Sequence, residues 1–386
     1  MASICLDVSP VVHGKAGLAS YARELAEQLV AAESANRYSL FHYDARPPVA
    51  LTGTLAGLPS LSVSLPARWW RLGVAAATLA GLSMDRLFPN VDLFHATEHL
   101  LPALRRVKTV FTFHDAIYAL FPKYHLPMNR VYLGLMMPRF LRRANAIITI
   151  SECSRRDAVR LYGIAADRFH VIYEGVDPRF RPVEQPETLQ EARRRYGLPG
   201  EYLLAVGTIE PRKNLSMLLD TFLAVKTRSG RQDLRLVIVG KKGWLFQDFF
   251  RRLAELGLDD GQQVIFPGYV ADEDLPALYA GAACFVFPSL YEGFGLPVLE
   301  AMASGAPVVC SNASSLPEVA GDAALMVNPE DAGAFARAVE RVLADPDLRR
   351  DLRARGLLRA AEFTWERTAR QTMEAYASVL GSGHGQ

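Results

Sequence analysis

Short apolar runs recur along this chain, separated by longer segments whose apolar positions return every three or four residues. In the first half the runs are Ile4–Leu6, Tyr38–Tyr43, Leu93–His95, Thr109–Phe113, Ala146–Ile150 and His170–Tyr173. In the second half they are Tyr202–Val206, Leu236–Val239, Val264–Phe266, Cys284–Phe287, Val308–Cys310 and Ala324–Val327. Each run predicts a strand. The intervening segments predict helices; Leu18–Val30, for example, puts Tyr21, Leu25 and Leu29 on one face. Alternation of this kind predicts an α/β protein, with parallel sheets covered by helices on both sides.

A chain of 386 residues exceeds what one hydrophobic core usually serves, so two domains are expected. After VIYEGVD (Val171–Asp177) a proline-rich, charged passage runs to Pro186 and reads as a linker. The expected organisation is a first domain over 1–182, a linker and domain start over 183–200, a second domain over 201–363, and a terminal helix with a frayed tail over 364–386.

The stretch Cys284–Cys310, CFVFPSLYEGFGLPVLEAMASGAPVVC, carries the candidate chemistry. It reads as a buried strand, a loop broken by Pro288, Gly293 and Gly295, a helix opening at Pro297, and a second strand. A helix that begins directly after a glycine loop aims unpaired amides and its positive dipole end outward, which favours a phosphate or another anion. Glu292 lies in the loop and Glu300 in the expected first turn, with seven residues between them. Carboxylates accept hydrogen bonds from vicinal hydroxyls, so amides and carboxylates together point to a nucleotide sugar. Taken alone, Glu300 is more readily explained as compensating the dipole.

Other strand ends carry polar groups. Gly207-Thr-Ile-Glu-Pro-Arg-Lys-Asn follows a strand and sets Arg212 beside Lys213, a forked donor and a compact charge suited to a diphosphate. Gly240 and Gly268-Tyr269-Val270 follow two more strands. In the first half, Asp7-Val-Ser-Pro leads into a loop with Gly14 and Gly17, and His95 and His114 end successive strands, where both imidazoles would face the ligand crevice of an open sheet.

The string Pro288, Glu292, Gly293, Gly295, Pro297 and Glu300 closely resembles the E-x7-E signature of the retaining family-four glycosyltransferases, and Arg212 and Lys213 match their phosphate-binding segment. The resemblance covers nearly the whole chain. It implies a GT-B fold, two Rossmann-like doubly wound parallel-sheet domains facing across a cleft, with the donor held mainly by the second and the acceptor by the first. The donor-binding residues it implies are Gly17, Gly207, Arg212, Lys213, Gly240, Tyr269, Val270, Glu292, Gly293, Phe294, Gly295, Leu296 and Glu300. Tyr269 and Val270 would meet the nucleobase through the backbone, Glu292 the donor sugar's hydroxyls, and Glu300 the ribose diol. The catalytic group it implies is His114, Glu292, Arg212 and Lys213, with His114 near the reacting sugar and preferred to His95. The segment Ala116–Tyr124 would shape the acceptor site, and the terminal helix over 364–380 would cross back to the first domain.

Two positions depart from the family pattern. Gly14 and Ala16 stand where paired glycines are usual, leaving Gly17 as the flexible point, and Glu174 stands where asparagine is usual, so no ligand role is expected for it. The implied reaction is hexosyl transfer with retention of configuration, with no cofactor beyond the nucleotide-sugar co-substrate and no metal. No D-x-D segment suited to a bridging divalent ion is expected. The GTIEPRKN form resembles bacterial mannosyltransferases of surface-polysaccharide synthesis, which implies GDP-mannose; UDP-glucose or another UDP-sugar is the alternative. The acceptor would be a saccharide or lipid-linked glycan, and no nucleic-acid partner is expected.

Composition narrows the setting. The chain is 50% hydrophobic and 22% charged, as in globular proteins. Met1–Leu6 runs into Asp7 without a basic leader and reads as a strand, and the uncharged run Leu72–Met84 falls short of the roughly 20 residues that span a bilayer. Cys5, Cys153, Cys284 and Cys310 form no disulfide or zinc pattern. A cytoplasmic protein is expected. Residues 1–186 hold 21 Lys/Arg against 15 Asp/Glu, and residues 187–386 hold 22 against 26. The basic half would suit an anionic partner such as a membrane surface or pyrophosphate. Residues 67–84, with Trp69 and Trp70 between Arg68 and Arg71, read first as a core helix and alternatively as a peripheral contact with the inner membrane face. A nicotinamide-dependent oxidoreductase would need a G-x-G-x-x-G turn that is lacking here. A silent nucleotide-sugar sensor would keep Arg212, Lys213 and Glu300.

Overall fold

The computed structural model describes residues 1–32, 35–43, 51–183, 185–198 and 200–381, and it divides into two compact units. The first comprises Met1–Pro122, Pro127–Gly175 and Thr364–Gln386; the second comprises Lys123–Leu126 and Val176–Phe363. The tail proposed beyond Gly381 lies outside the described residues.

Seven strands build the sheet of the first unit: β1 Ser3–Asp7, β2 Arg37–Tyr43, β3 Ser60–Val63, β4 Leu93–Ala96, β5 Lys108–Phe113, β6 Ala146–Thr149 and β7 Phe169–Val171. They run parallel in the order β3-β2-β1-β4-β5-β6-β7, with Leu6 in register between Leu40 and His95. Every residue of β4 and β6 is buried, as helices on both faces require. Strand β3 was not legible in the sequence: Ser-Leu-Ser-Val is an edge strand, half exposed, whose alternating serines hide it. The core beneath the sheet is aromatic, with ring centroids 5.1 Å apart for Phe41 and Phe88, 4.8 Å for Phe88 and Phe94, and 5.7 Å for Phe41 and Trp70.

Helix Ala16–Ala31 buries Tyr21, Leu25 and Leu29 as its spacing predicts. Helix Trp365–Gly381 packs against it and closes over β4. There the His95 ring lies between Tyr376 Oη, 2.7 Å from Nδ1, and Thr112 Oγ1, 2.8 Å from Nε2; Thr112 in turn pairs with Tyr21 Oη at 3.0 Å. This corrects the expectation that His95 faces a crevice. Burial and the neighbouring His114 push it down to about 3, so it is a neutral core residue with both nitrogens engaged.

The second unit repeats the winding with β8 Tyr202–Val206, β9 Arg235–Val239, β10 Val264–Ile265, β11 Cys284–Phe287, β12 Val308–Ser311 and β13 Leu325–Val327, parallel in the order β10-β9-β8-β11-β12-β13. Strand order reverses between β1 and β4 in one sheet and between β8 and β11 in the other. Such switch points are where open α/β sheets bind ligands. The segment over 183–200 is more than a linker. Pro186 starts helix Pro186–Arg195, which packs against helix Leu275–Ala280 inside the second unit. The chain passes between units at Gly175–Val176, where a Cβ on Gly175 would stand 2.2 Å from the Trp365 amide nitrogen, a contact that only glycine admits.

Candidate functional site

At the β8/β11 switch point the loops after the two strands are locked together. The Leu290 amide donates to Arg212 O at 2.9 Å, and Arg212 Nη1 donates to Tyr291 O at 2.9 Å. Glu292 collects three donors. Arg212 Nη1 reaches Oε2 at 2.5 Å, while Lys213 Nζ at 2.7 Å and Ser289 Oγ at 2.5 Å reach Oε1. Arg212 is also gripped by Glu210, with Nε 2.9 Å and Nη2 2.5 Å from Oε1. Burial alone would raise the Glu292 carboxyl, but the two cations hold it down to about 2. The same burial presses the Lys213 ammonium below its usual range, and Glu292 offsets part of that. Lys213 spends one of its three hydrogens on a described residue and lies 4.7 Å over the Phe287 ring.

Strained backbone fixes this cluster. Asn214, directly after Lys213, is left-handed at φ 56°, and its amide group donates to Pro288 O at 3.2 Å and Pro329 O at 2.7 Å. Ser314 is left-handed at φ 55°, and its hydroxyl accepts the Glu292 amide at 2.8 Å. Ser315 Oγ donates to Glu292 O at 3.0 Å and to Phe294 O at 2.6 Å. Glycines supply the close approaches: a Cβ on Gly240 would lie 1.9 Å from Gly207 O, and one on Gly207 3.3 Å from Lys213 Cε.

In front of the cluster, helix Leu296–Ala303 begins at Gly295, whose φ of 122° and 2.7 Å approach to Leu316 Cδ2 exclude a side chain. Pro297 is therefore the second helical residue, and Glu300 lies beyond the first turn rather than in it. The Gly295 and Leu296 amides donate to no described residue. The Phe294 ring is buried against Phe363, and Gly293 sits in the same buried loop. Glu300 is separate from the Arg212–Lys213–Glu292 cluster. Its Oε2 accepts from Tyr279 Oη at 2.8 Å, and burial, with Asp177 and Asp272 nearby, pushes it up to about 7 against the pull of Tyr279 and Arg179. Gly268 turns the chain at φ 77°, so that Tyr269 is 85% exposed while Val270 points inward.

In the first unit, His114 is buried at the end of β5. Its Nε2 donates to Thr97 O at 2.7 Å, which leaves Nδ1 as an acceptor 4.0 Å from Glu174 Oε1. Burial and the neighbouring His99 push it down to about 4, so the ring is neutral at pH 7. Gly17 sits in the first turn of helix Ala16–Ala31 with open space around it. The left-handed residue of that loop is Gly14, at φ 61°, which moves the flexible point from Gly17 to Gly14. The segment Ala116–Tyr124 is largely helical, over Ile117–Leu120 and Pro122–Tyr124.

Sequence reasoning passed over Ser289, Ser314 and Ser315, which no motif distinguishes from surface serines, and it gave no role to Glu174. Glu210 and Asn214 stood in plain view beside Arg212 and Lys213. Among the described residues no group of His, Cys, Asp or Glu is arranged to hold a metal. The D-x-D triplets at 272–274 and 345–347 are otherwise engaged: Asp274 accepts from Arg195 and Tyr196, both at 2.7 Å, and Asp345 caps helix Pro346–Ala360.

Residues 16–180 match the Glycosyltransferase Family 4 and residues 190–359 match the Glycosyl transferases group 1. The O-antigen chain mannosyltransferase B of Escherichia coli is 40% identical over 286 residues, 74% of this chain and 74% of that protein. The serotype-specific mannosyltransferase WbdA of Escherichia coli is 36% identical over 278 residues, 71% of this chain, and the match spans 34% of WbdA. The sucrose-phosphate synthase of Thermosynechococcus elongatus superposes with a TM-score of 0.79 at 23% identity, over 99% of this chain and 100% of that one. The chain therefore belongs to the family 4, group 1 glycosyltransferases and has their GT-B fold of two parallel-sheet α/β domains.

Proposed function

We propose that this protein is a retaining, metal-independent hexosyltransferase that moves mannose from GDP-mannose to a saccharide or lipid-linked acceptor. The observation that carries the reading is the buried Arg212–Lys213–Glu292 cluster at a topological switch point, together with two unspent amides at the start of helix Leu296–Ala303. Mannose is favoured because relatives sharing 36–40% of aligned residues are mannosyltransferases.

In this reading the donor's diphosphate sits against Lys213, Arg212 and the Gly295 and Leu296 amides. As the glycosidic bond breaks, charge develops on the departing phosphate and these donors neutralise it. One well-aimed donor of this kind is worth roughly 10²–10³ in rate. Glu292 holds both cations in place beforehand, and Oε2 keeps acceptor capacity for a sugar hydroxyl. Glu300 binds the ribose diol. His114 is neutral and donates to Thr97, so it carries no proton to transfer from Nδ1.

A peripheral membrane contact is part of this proposal, and the surface of the first unit supports it. Helix Ala67–Ala80 keeps Trp70 and Val74 in the core but turns Trp69, Leu72 and Leu79 outward, so the core reading of this segment holds for one face only. Helix Pro127–Arg143 turns Met128, Val131 and Leu135 outward. The two are joined where Arg71 Nη1 donates to Asn129 Oδ1 at 3.0 Å and stacks 4.2 Å over the Tyr132 ring. Residues 101–150 hold eight Lys/Arg and one acidic residue, a balance that would suit an anionic leaflet. No helix among the described residues is long and apolar enough to cross a membrane.

The test is turnover of a donor panel with and without EDTA, with the anomeric configuration of the product read by NMR. Transfer from GDP-mannose, with α-configuration kept and EDTA without effect, is expected. Turnover of UDP-sugars alone would overturn the donor assignment; inversion, or loss of activity with EDTA, would overturn the mechanism.

A further inference from the structure

The second unit has another concave site, at the end of its sheet away from the donor cluster. A cavity of about 550 Å³ opens where β8, β11 and β12 begin, lined there by Glu201, Ala283 and Pro307, the residues that directly precede those strands. The Arg212–Lys213–Glu292 cluster lies past the other ends of β8 and β11, the length of β8 being roughly 13 Å at about 3.3 Å per residue. The volume falls within the roughly 300–1,000 Å³ of small-molecule sites.

Arginine dominates the walls. Helix Pro346–Ala360 contributes Arg349, Arg350 and Arg353, spaced to share one face with Pro346, and helix Pro186–Arg195 contributes Arg193. Among the described residues the lining holds a single carboxylate, Glu201, which Arg231 Nη1 already contacts at 2.5 Å. Residues 187–386 carry more acidic than basic side chains, so this excess of cations runs against the composition of its own half.

The guanidinium groups are largely unused. Arg193 Nη2 donates to Gly281 O at 2.9 Å, but its Nε is buried and has no partner. Arg349 Nη1 reaches Leu343 O at 3.3 Å and stands 4.0 Å from Glu201 Oε1. Arg350 pairs with Asp347. Arg353 bonds to no described residue; it lies against Gly305, where a Cβ would stand 3.2 Å from its Nε. Arg353 is not needed as a cap there. Helix Leu296–Ala303 ends at a left-handed Gly305, φ 78°, whose amide donates to Met302 O while the Ala306 amide donates to Ala301 O, both at 2.9 Å, so backbone satisfies these last carbonyls.

With Arg350 offset by Asp347 and Glu201 by Arg231, the charges of Arg193, Arg349 and Arg353 stand uncompensated around one cavity. Like charges held this close repel unless an anion comes between them. The planar guanidinium fork matches a phosphate bidentately. A single phosphate group, at about −1.5 to −2 near pH 7, would leave part of the positive charge unmet and most of the volume empty. We infer that this cavity is a second, non-catalytic site for a small organic phosphate carrying two phosphate groups, gripped by Arg193, Arg349 and Arg353. The inference does not depend on which sugar or base the donor carries.

The test is calorimetric titration of the full-length protein with fructose 1,6-bisphosphate and with inorganic phosphate, each with and without saturating GDP. Wild type, Arg353→Gln and Arg353→Lys are compared. The bisphosphate should bind wild type about ten-fold or more tighter than inorganic phosphate does, with the same affinity whether or not GDP is present. Loss of charged hydrogen bonds should weaken it about ten-fold or more in Arg353→Gln. Arg353→Lys, which keeps the charge and loses the fork, should recover only part. Both variants should melt with wild type, because Arg353 has no protein partner to lose; Arg349→Gln gives the same reading should Arg353→Gln fail to fold. Bisphosphate binding no tighter than that of inorganic phosphate, affinity unchanged in the glutamine variants, or displacement by GDP overturns the assignment. Failure of GDP itself to bind would count against the donor reading instead, since the arginine variants still report on the cavity. Co-sedimentation with phosphatidylglycerol vesicles that Arg353→Gln abolishes, without bisphosphate binding, would overturn it in favour of a lipid surface.

Discussion

Replacing Glu292 by Gln removes a buried charge that two cations depend on, and its consequence can be worked out from the site. The carboxyl titrates at about 2 in the folded chain against an ordinary value of 4.5. At about 1.4 kcal/mol per pH unit, this difference amounts to about 3 kcal/mol of stability at neutral pH. Because the folded value is depressed, the contribution is complete above pH 4.5 and drains away as pH falls towards 2. At pH 3 somewhat under half of it remains. The depressed Lys213 ammonium opposes part of the gain, so about 3 kcal/mol is the upper end of the expected loss. Glu210 keeps its grip on Arg212 in the variant, so the loss should come mostly from Lys213, left buried without a carboxylate. Urea unfolding of wild type and Glu292→Gln, followed by fluorescence at pH 7 and pH 3, measures the gap. A gap of 2–3 kcal/mol that roughly halves at pH 3 is expected. A gap below about 1 kcal/mol at pH 7, or one that is the same size at both pH values, would refute the reasoning.

Glu300 should behave in the opposite sense. Its folded value is raised to about 7, so its favourable contribution is present below the ordinary carboxylate range and is lost as pH rises through 7; Glu300→Gln should melt higher than wild type at pH 8, but not at pH 5, while binding GDP about ten-fold more weakly by calorimetry. Gly240→Ala would drive a Cβ to 1.9 Å from the Gly207 carbonyl oxygen, so unfolding at least about 3 kcal/mol easier than wild type, or failure to accumulate as soluble protein, is expected in a denaturation series. The triple change Trp69→Ser, Leu72→Ser and Met128→Ser strips the exposed apolar face and should abolish co-sedimentation with phosphatidylglycerol vesicles while turnover of a soluble acceptor stays within two-fold; unchanged co-sedimentation would remove the case for membrane contact through these helices.

The periodic signals in the sequence were strong where burial is two-sided. Strands such as Cys284–Phe287 and Tyr202–Val206 are continuous apolar runs with turn residues after them, and they stand where that pattern puts them. Strand Ser60–Val63 was hidden because an edge strand with one half-exposed face has no such run. The donor cluster was legible in part, since Arg212, Lys213 and Glu292 carry distinctive spacing. What spacing could not reveal is that the three bind one another, because that depends on two loops 79 residues apart in sequence closing through Asn214, Ser289 and Ser314. His95 and His114 end neighbouring strands and look alike in one dimension. Only the cover of helix Trp365–Gly381, which brings Tyr376 onto His95, distinguishes them. Arg193 and Arg353 escaped notice for the same reason: arginines on two separate helices carry no signal until the starts of β8, β11 and β12 bring them round one cavity.

The central claim is that a nucleoside diphosphate is held at the β8/β11 switch point by Arg212, Lys213 and the amides that open helix Leu296–Ala303. A crystal structure of the protein with GDP bound tests it directly. Phosphate oxygens within about 3 Å of Lys213 Nζ, the Arg212 guanidinium and the Gly295 or Leu296 amide nitrogen are predicted. Density for the diphosphate at any other strand end, or with Lys213 still turned wholly to Glu292, would contradict it.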